Sequence, residues 1–302
     1  MKSTMFLNNT TAIDHAYIDD TGWVVGGSVS PTMFVTGDVD PVEAVVVDFS
    51  TVKKEIKHII DAKYSGFDHK LWIIEDYSVC EVFDHKDGTL TITTPLLNIQ
   101  APKDAFKFIK NPFFRSGKLE SYRTAVTDQL EEEIMAGLEE DHKGANIHVS
   151  LDLEDVFTGN VRMNTDMVPF RYVHGLRNST SWGCQNVAHG HLSYLAAYSD
   201  NPLEASIVLS RIASDLDKSV FAWEKNVTRA DSGMYIIDYE TGRGKFSMQL
   251  KSSRMLKVLK TETTVENLAT FVADIYKDEL KKAGVRMLFV SEGLNKGAVA
   301  EI

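Results

Sequence analysis

Cysteine, basic charge and long apolar runs are what this chain has least of. Its only cysteines are Cys80 and Cys184, too few for a disulfide framework, so a reducing cytoplasm is the expected compartment. No apolar run approaches the ~20 residues that cross a bilayer, and the stretch from Met1 to Asn9 has no long apolar signal core. Lysine and arginine total 32 against 43 acidic residues, a net charge of −11. That balance works against non-specific attachment to nucleic acid or an anionic membrane, and neither is expected as a partner. Apolar and aromatic residues are plentiful instead. With 43% hydrophobic residues, including 15 Phe, 10 Tyr and 4 Trp, the chain is not a solvated coil. Its 302 residues suffice for one large core or two medium ones.

Along the chain, Ala44 to Phe49 is a β-branched apolar run and reads as a strand. A helix is expected from Ser50 to Ala62, where Val52, Ile56, Ile59 and Ile60 recur at helical spacing. Another is expected to begin at Pro102, since proline suits a first turn. Tyr122, Val126, Leu130, Ile134 and Leu138 make residues 119–141 an amphipathic helix with an acidic outer face. Ile147 to Leu153 then alternates with the strand period. The end of the chain follows the same order. Thr263 with Glu266 reads as a capping box, Val265, Leu268, Val272, Ile275 and Tyr276 form an apolar stripe, and Gly284 stops the helix before the strand Arg286–Val290. Helix followed by strand closing both halves hints at an internal repeat, with the division expected within residues 155–168.

Among nine histidines, His174, His189 and His191 cluster with Cys184. In His189-Gly-His191 the two rings share one side of an extended strand. His174 can join them from the neighbouring strand of a hairpin, and three neutral imidazoles with an open position describe a catalytic zinc site. Cys184 is open to three readings: a fourth ligand, an apolar filler, or a thiol of lowered pKa acting as base or nucleophile. Cys80 reads as packing.

These residues resemble the 6-pyruvoyl-tetrahydropterin synthase and 6-carboxy-tetrahydropterin synthase family. The resemblance lies in Phe170-Arg-Tyr-Val-His174, Cys184 and His189-Gly-His191-Leu-Ser-Tyr194. It continues in Val45-Val-Val-Asp48-Phe49, Val52-Lys53 and Asp68-His69-Lys-Leu71, and in Thr263-Thr-Val-Glu266-Asn267-Leu-Ala269 with Val290-Ser-Glu292. The order departs from the family, in which the Asp-His element follows His-Gly-His. Here Asp68-His69 precedes it. A tandem pair of the family's small fold explains this. The first copy keeps Asp68-His69 but has Gly26-Gly-Ser-Val-Ser-Pro31 where His-Gly-His belongs. The second keeps the histidines, Cys184 and Glu292 but has Ser214-Asp-Leu-Asp217-Lys218-Ser, with no histidine, where Asp-His belongs.

The resemblance implies an α+β chain of two tandem tunnelling-fold domains, 1–160 and 161–302, each an antiparallel four-stranded sheet with helices on one face. It implies Zn2+ on His174, His189 and His191, and Cys184, Asp68 and His69 as catalytic residues. Glu292 would anchor the pterin, with Glu266 as a second contact. The substrate it implies is 7,8-dihydroneopterin triphosphate, and the assembly a homotrimer of six small domains. The carboxy-forming branch of the queuosine and 7-deazaguanine route is favoured, with the pyruvoyl-forming enzyme as the alternative. A non-catalytic pterin-binding or scaffold protein is the rival of another class. The Asp84-His85 and Asp141-His142 pairs read as solvated.

Overall fold

The computed structural model describes residues 1–111, 114, 116–141, 148–155 and 162–302. The first half runs β1 (Lys2–Leu7), β2 (Ile13–Ile18), β3 (Val24–Asp38), α1 (Phe49–Asp61) and β4 (Lys70–Ile74). An insert of three strands follows, β5 (Glu81–Asp84), β6 (Thr89–Thr93) and β7 (Leu97–Pro102), then β8 (Phe106–Ile109), α2 (Leu119–Asp141) and β9 (His148–Glu154). The order then recurs as β10 (Val168–His174), β11 (His189–Ser199), α3 (Pro202–Leu216) and β12 (Ser219–Trp223). A second insert, β13 (Val227–Arg229), β14 (Tyr235–Thr241) and β15 (Gly244–Leu250), precedes β16 (Leu256–Leu259). The chain closes with α4 (Val265–Ile275), α5 (Lys277–Lys282), β17 (Val285–Ser291) and β18 (Gly297–Glu301).

Strand pairing repeats as well. β2 is antiparallel to β3 and parallel to β4, β4 is parallel to β8, and β3 is antiparallel to β9. In the second half β10 is antiparallel to β11 and parallel to β12, β12 is parallel to β16, and β11 is antiparallel to β17. With β1 and β18 added, each set is a six-stranded sheet, and the two inserts join through β7 and β15 into a third. The fold is α+β. Its sheets are larger than a four-stranded antiparallel unit, because the strand after each first helix and the strand after each insert add in parallel.

Local chemistry accounts for the elements. Asp48 caps α1 by accepting from the Thr51 amide at 2.9 Å, and Val52, Ile56 and Ile60 are its buried face. Val47, just before the cap, is buried with Val52 as a hydrophobic staple. Tyr122, Val126, Leu130, Ile134 and Leu138 of α2 are fully buried, as their four-residue spacing predicts.

Four further expectations are corrected. Residues 44–48 are irregular rather than a strand. The long β3 already pairs with β1 through residues 33–38 and with β9 through residues 30–36, so neither of its edges is open to them. Pro102 ends β7 and leads into one 3-10 turn, Lys103–Ala105, not a helix. The apolar and aromatic residues of Phe106–Ile109 instead pair with β4. Thr263 and Glu266 form no capping box. The cap of α4 is Thr264, whose side chain bonds no helix amide, while the Thr263 hydroxyl faces His174. The single expected helix also breaks at Tyr276 into α4 and α5.

The halves meet where β3 and β11 touch through their backbones. A Cβ on Gly26 would lie 1.9 Å from the Tyr172 carbonyl oxygen, and one on Gly190 would lie 2.5 Å from Gly26 Cα. Neither strand can carry a side chain there, because main-chain atoms are not free to move aside. Gly26→Ala is therefore expected to lower stability by about 3 kcal/mol or more, measured by urea unfolding. Gly242→Ala, with open space around the added carbon, should stay within about 0.5 kcal/mol of the parent.

Candidate metal centre and active site

The hairpin β10–β11 places His174 opposite His189, and His191 opposite Tyr172 two residues further along. Strand alternation therefore puts all three rings on one face. Each ring is buried; Nδ1 of His174 and of His189 meets a hydrogen-bond acceptor, while Nδ1 of His191 has a carboxylate oxygen at ion-pair distance but not aligned as a hydrogen bond. His174 Nδ1 lies 2.9 Å from the Thr263 carbonyl, His189 Nδ1 lies 2.8 Å from the Asn186 carbonyl, and His191 Nδ1 lies 3.1 Å from Asp14 Oδ1. That leaves the three Nε2 atoms as lone-pair donors. Those of His174 and His191 are 3.1 Å apart, and the three rings offer ligand atoms within 4.8 Å of one another. A tetrahedral ion with bonds near 2.0–2.1 Å holds two nitrogen ligands roughly 3.3 Å apart, so the spacing fits. His189 Nε2 is buried with no hydrogen-bond partner among the described residues. Burial, reinforced by the neighbouring rings, holds His174 and His189 well below the usual histidine pKa. They are the neutral imidazoles that a metal requires.

The other half of the chain supplies the groups beside this cluster. His69 Nδ1 is 2.5 Å from Asp68 Oδ2, and His69 Nε2 is 3.6 Å from Cys184 Sγ. Burial alone would lower the His69 pKa, but the charge and hydrogen bond of Asp68 override it, with help from Cys184 and Asp14, and raise it well above the ordinary value. Burial likewise pushes the Cys184 thiol up, but the His69 hydrogen bond and charge outweigh it and bring the thiol below its usual range. His69 and Cys184 thus form a hydrogen-bonded pair, each favouring the charged form of the other, in reach of the histidine cluster, with the His69 and His189 ring centres 5.1 Å apart.

The remaining candidates separate. The charge of Glu292 reaches Cys184, where it raises the thiol pKa, and its carboxylate lies 3.6 Å from Lys296 Nζ. Glu266 is exposed in the first turn of α4 and is not brought to the cluster. Asp84 and His85 are exposed near the β5–β6 turn, Cys80 packs half-buried against the core, and His142 lies outside the described residues.

Each half repeats the framework of the other. The His69 amide donates to the Asp14 carbonyl at 2.6 Å, and the Asp14 amide to Asp68 Oδ1 at 2.8 Å. The Lys218 amide donates to the Arg171 carbonyl at 2.7 Å, and the Arg171 amide to Asp217 Oδ1 at 2.8 Å. His69 and Lys218 also share a left-handed backbone, with φ of 56° and 60°. In this register Tyr17, Val25 and Gly27 stand where His174, His189 and His191 stand in the other half. No second histidine cluster can form there. The ring of His15 fills the space beside Gly27, where an added Cβ would meet its Nε2 at 2.5 Å.

Two residues of the site escaped sequence reasoning. Asp14 was overlooked although it too heads an Asp-His pair, and its carboxylate is buried beside His191. Burial would raise its pKa, but His191, Lys296 and His69 more than offset this and hold it well below the carboxylate range. Asn186 had no signal at all. Its amide donates to the His69 and Ala105 carbonyls at 3.1 and 2.9 Å while its own carbonyl receives His189, tying the halves together.

No family model matches the chain, and no curated protein matches it. Solved structures do. A catalytic-residue mutant of 6-pyruvoyltetrahydropterin synthase from Plasmodium vivax aligns over 50% of this chain and 91% of its own, at 16% identity and a TM-score of 0.36. The Plasmodium falciparum 6-pyruvoyl tetrahydropterin synthase aligns over 50% and 90%, at 18% identity and 0.35. An uncharacterized protein from Wolinella succinogenes aligns over 45% and 95%, at 13% identity and 0.31. These are likenesses of outline to half of the chain, and the roles of its residues rest on its own geometry.

The two thiols should react differently. Burial pushes Cys80 up to about 12, whereas His69 favours the Cys184 thiolate. Iodoacetamide near neutral pH should label Cys184 at least about tenfold faster than Cys80, followed by peptide mass spectrometry. His69→Ala should slow Cys184 by about tenfold; an unchanged rate would show that His69 does not activate the thiol.

Proposed function

We propose that the chain is a zinc-dependent lyase that converts 7,8-dihydroneopterin triphosphate to 6-carboxy-5,6,7,8-tetrahydropterin, in the queuosine and 7-deazaguanine route. It is built as two tandem tunnelling-fold domains, 1–160 and 161–302, that share one active site, and it works in the cytoplasm as a homotrimer. The observation that carries the reading is the meeting of Asp68-His69 from one half with Cys184 and the three buried histidines from the other. Both carry-overs of the family resemblance, far apart in sequence, come together at one point.

In this reading His174, His189 and His191 hold the ion through Nε2. When bound, it supplies Lewis acidity to the oxygens of the substrate side chain. Cys184, as thiolate, takes a proton from that side chain, which then loses triphosphate and, in the carboxy-forming reaction, a two-carbon fragment as well. His69 Nε2, 3.6 Å from the sulfur and held at Nδ1 by Asp68, passes a proton as general acid and base. Glu292 accepts from the pterin ring N–H and amino groups, a pairing that suits a carboxylate.

Metal analysis of the purified chain should find one zinc per chain, and His189→Ala should lose it. Cys184→Ala and His69→Ala should keep the zinc and lower turnover of dihydroneopterin triphosphate by at least about 100-fold. Full turnover in both variants would sink the shared site. Product mass separates the readings. A pyruvoyl product moves the protein to the sister reaction, and a pterin that binds without turnover makes it a binding module.

A further inference from the structure

His191 differs from the other two candidate ligands in what holds it. His174 and His189 rest on main-chain carbonyls of their own half, from Thr263 and Asn186. His191 Nδ1 lies 3.1 Å from a carboxylate oxygen, Asp14 Oδ1, on β2 of the half that carries no ligand. We infer that Asp14 is the positioning residue of the metal centre, holding His191 in the tautomer and orientation that present Nε2 to the ion. This rests on the metal reading given above and goes beyond it, since a residue outside the ligand set, from the other half of the chain, governs the affinity of the site.

The surroundings of Asp14 are built to keep this carboxylate in one place. Its side chain is nearly inaccessible, at 3% exposure. Ser28 donates to Oδ1 at 2.5 Å and itself accepts from the Leu192 amide at 3.1 Å, next to His191 on β11. Lys296 Nζ lies 3.2 Å from Oδ2. The main chain of Asp14 is fixed as well, with its amide bonded to Asp68 and its carbonyl to the His69 amide. The loop bearing Glu292 crosses so closely that a Cβ on Gly293, at φ +63°, would sit 2.4 Å from Oδ1. Asp14 thus touches one ligand, the Asp68-His69 pair and the Glu292 loop.

The internal repeat provides a comparison within the molecule. The position equivalent to Asp14 is Arg171, and the position equivalent to His191 is Gly27. An acid stands where there is a ring to orient, and a base stands where there is none. A buried carboxylate is costly unless its partners are in place, and a carboxylate on the far nitrogen of a ligating histidine fixes the ring and raises its basicity.

The test uses the full chain, stripped with a chelator and reloaded with Co2+. Affinity is read by chelator competition and geometry by the visible absorption bands. Asp14→Asn, which keeps the shape and removes the charge, should bind Co2+ about 10- to 100-fold more weakly and shift the bands, with circular dichroism unchanged. Equal affinity and identical bands in a variant that folds overturn the inference while the metal reading stands. A wild type that binds neither Co2+ nor Zn2+ overturns both. If Asp14→Asn does not fold, imidazole nitrogen NMR of the Zn2+-loaded wild type decides. A His191 proton on Nδ1, slow to exchange, supports the inference, and a proton on Nε2 overturns it.

Discussion

Everything at the centre of this molecule depends on two strands touching without side chains. Gly26 and Gly190 let β3 and β11 approach at backbone distance, closer than the ~10 Å at which stacked sheets normally sit. Only at that separation does Asp14 reach His191, and Ser28 reach the Leu192 amide. The same approach lets His69 stand against Cys184 and His189. A methyl group at either glycine would push the halves apart by more than a hydrogen bond can span.

That constraint explains why the repeated framework could diverge in its side chains. The backbone bonds that seat Asp68-His69 on β2 are reproduced at Asp217-Lys218 on β10, so the scaffold is equally present in both halves. The side chains are not. One half carries the three rings and the thiol, the other carries the acid–imidazole pair and the orienting carboxylate. Cross-half bonds then serve both stability and the site. Asn186 links His69, Ala105 and His189, and the joined inserts add a continuous ladder from β7 to β15. Losing such a bond would disturb the site and the junction together, because the groups are buried and would be left unpaired.

Electrostatics follow from the same placement. His174 and His189 are buried among like groups and held well below the usual histidine range, while His69, only one ring away, is raised above it by Asp68. Two environments for one residue type sit about 5 Å apart. Cys184 lies on the His69 side of that division, and its thiol is brought below its usual range by that neighbour.

What the sequence determined by itself was the part governed by local periodicity and residue type. The four-residue stripe of α2, the caged pair His189-Gly-His191 and its hairpin partner His174 were all legible, because strand and helix periods act within a few residues. Local signals failed where a distant strand competed. Residues 44–48 look like a strand but find β3 already paired on both sides, and Pro102 looks like a helix start but yields to the pairing of β8 with β4. The histidine cluster was visible as ligand chemistry, whereas Asp14 and Asn186 were not. A lone Asp or Asn acquires its role only from what it faces, and here that is the opposite half of the chain. Tertiary structure alone decided that the acid–imidazole pair, the thiol and the rings share one point, since that depends on how closely β3 and β11 can lie.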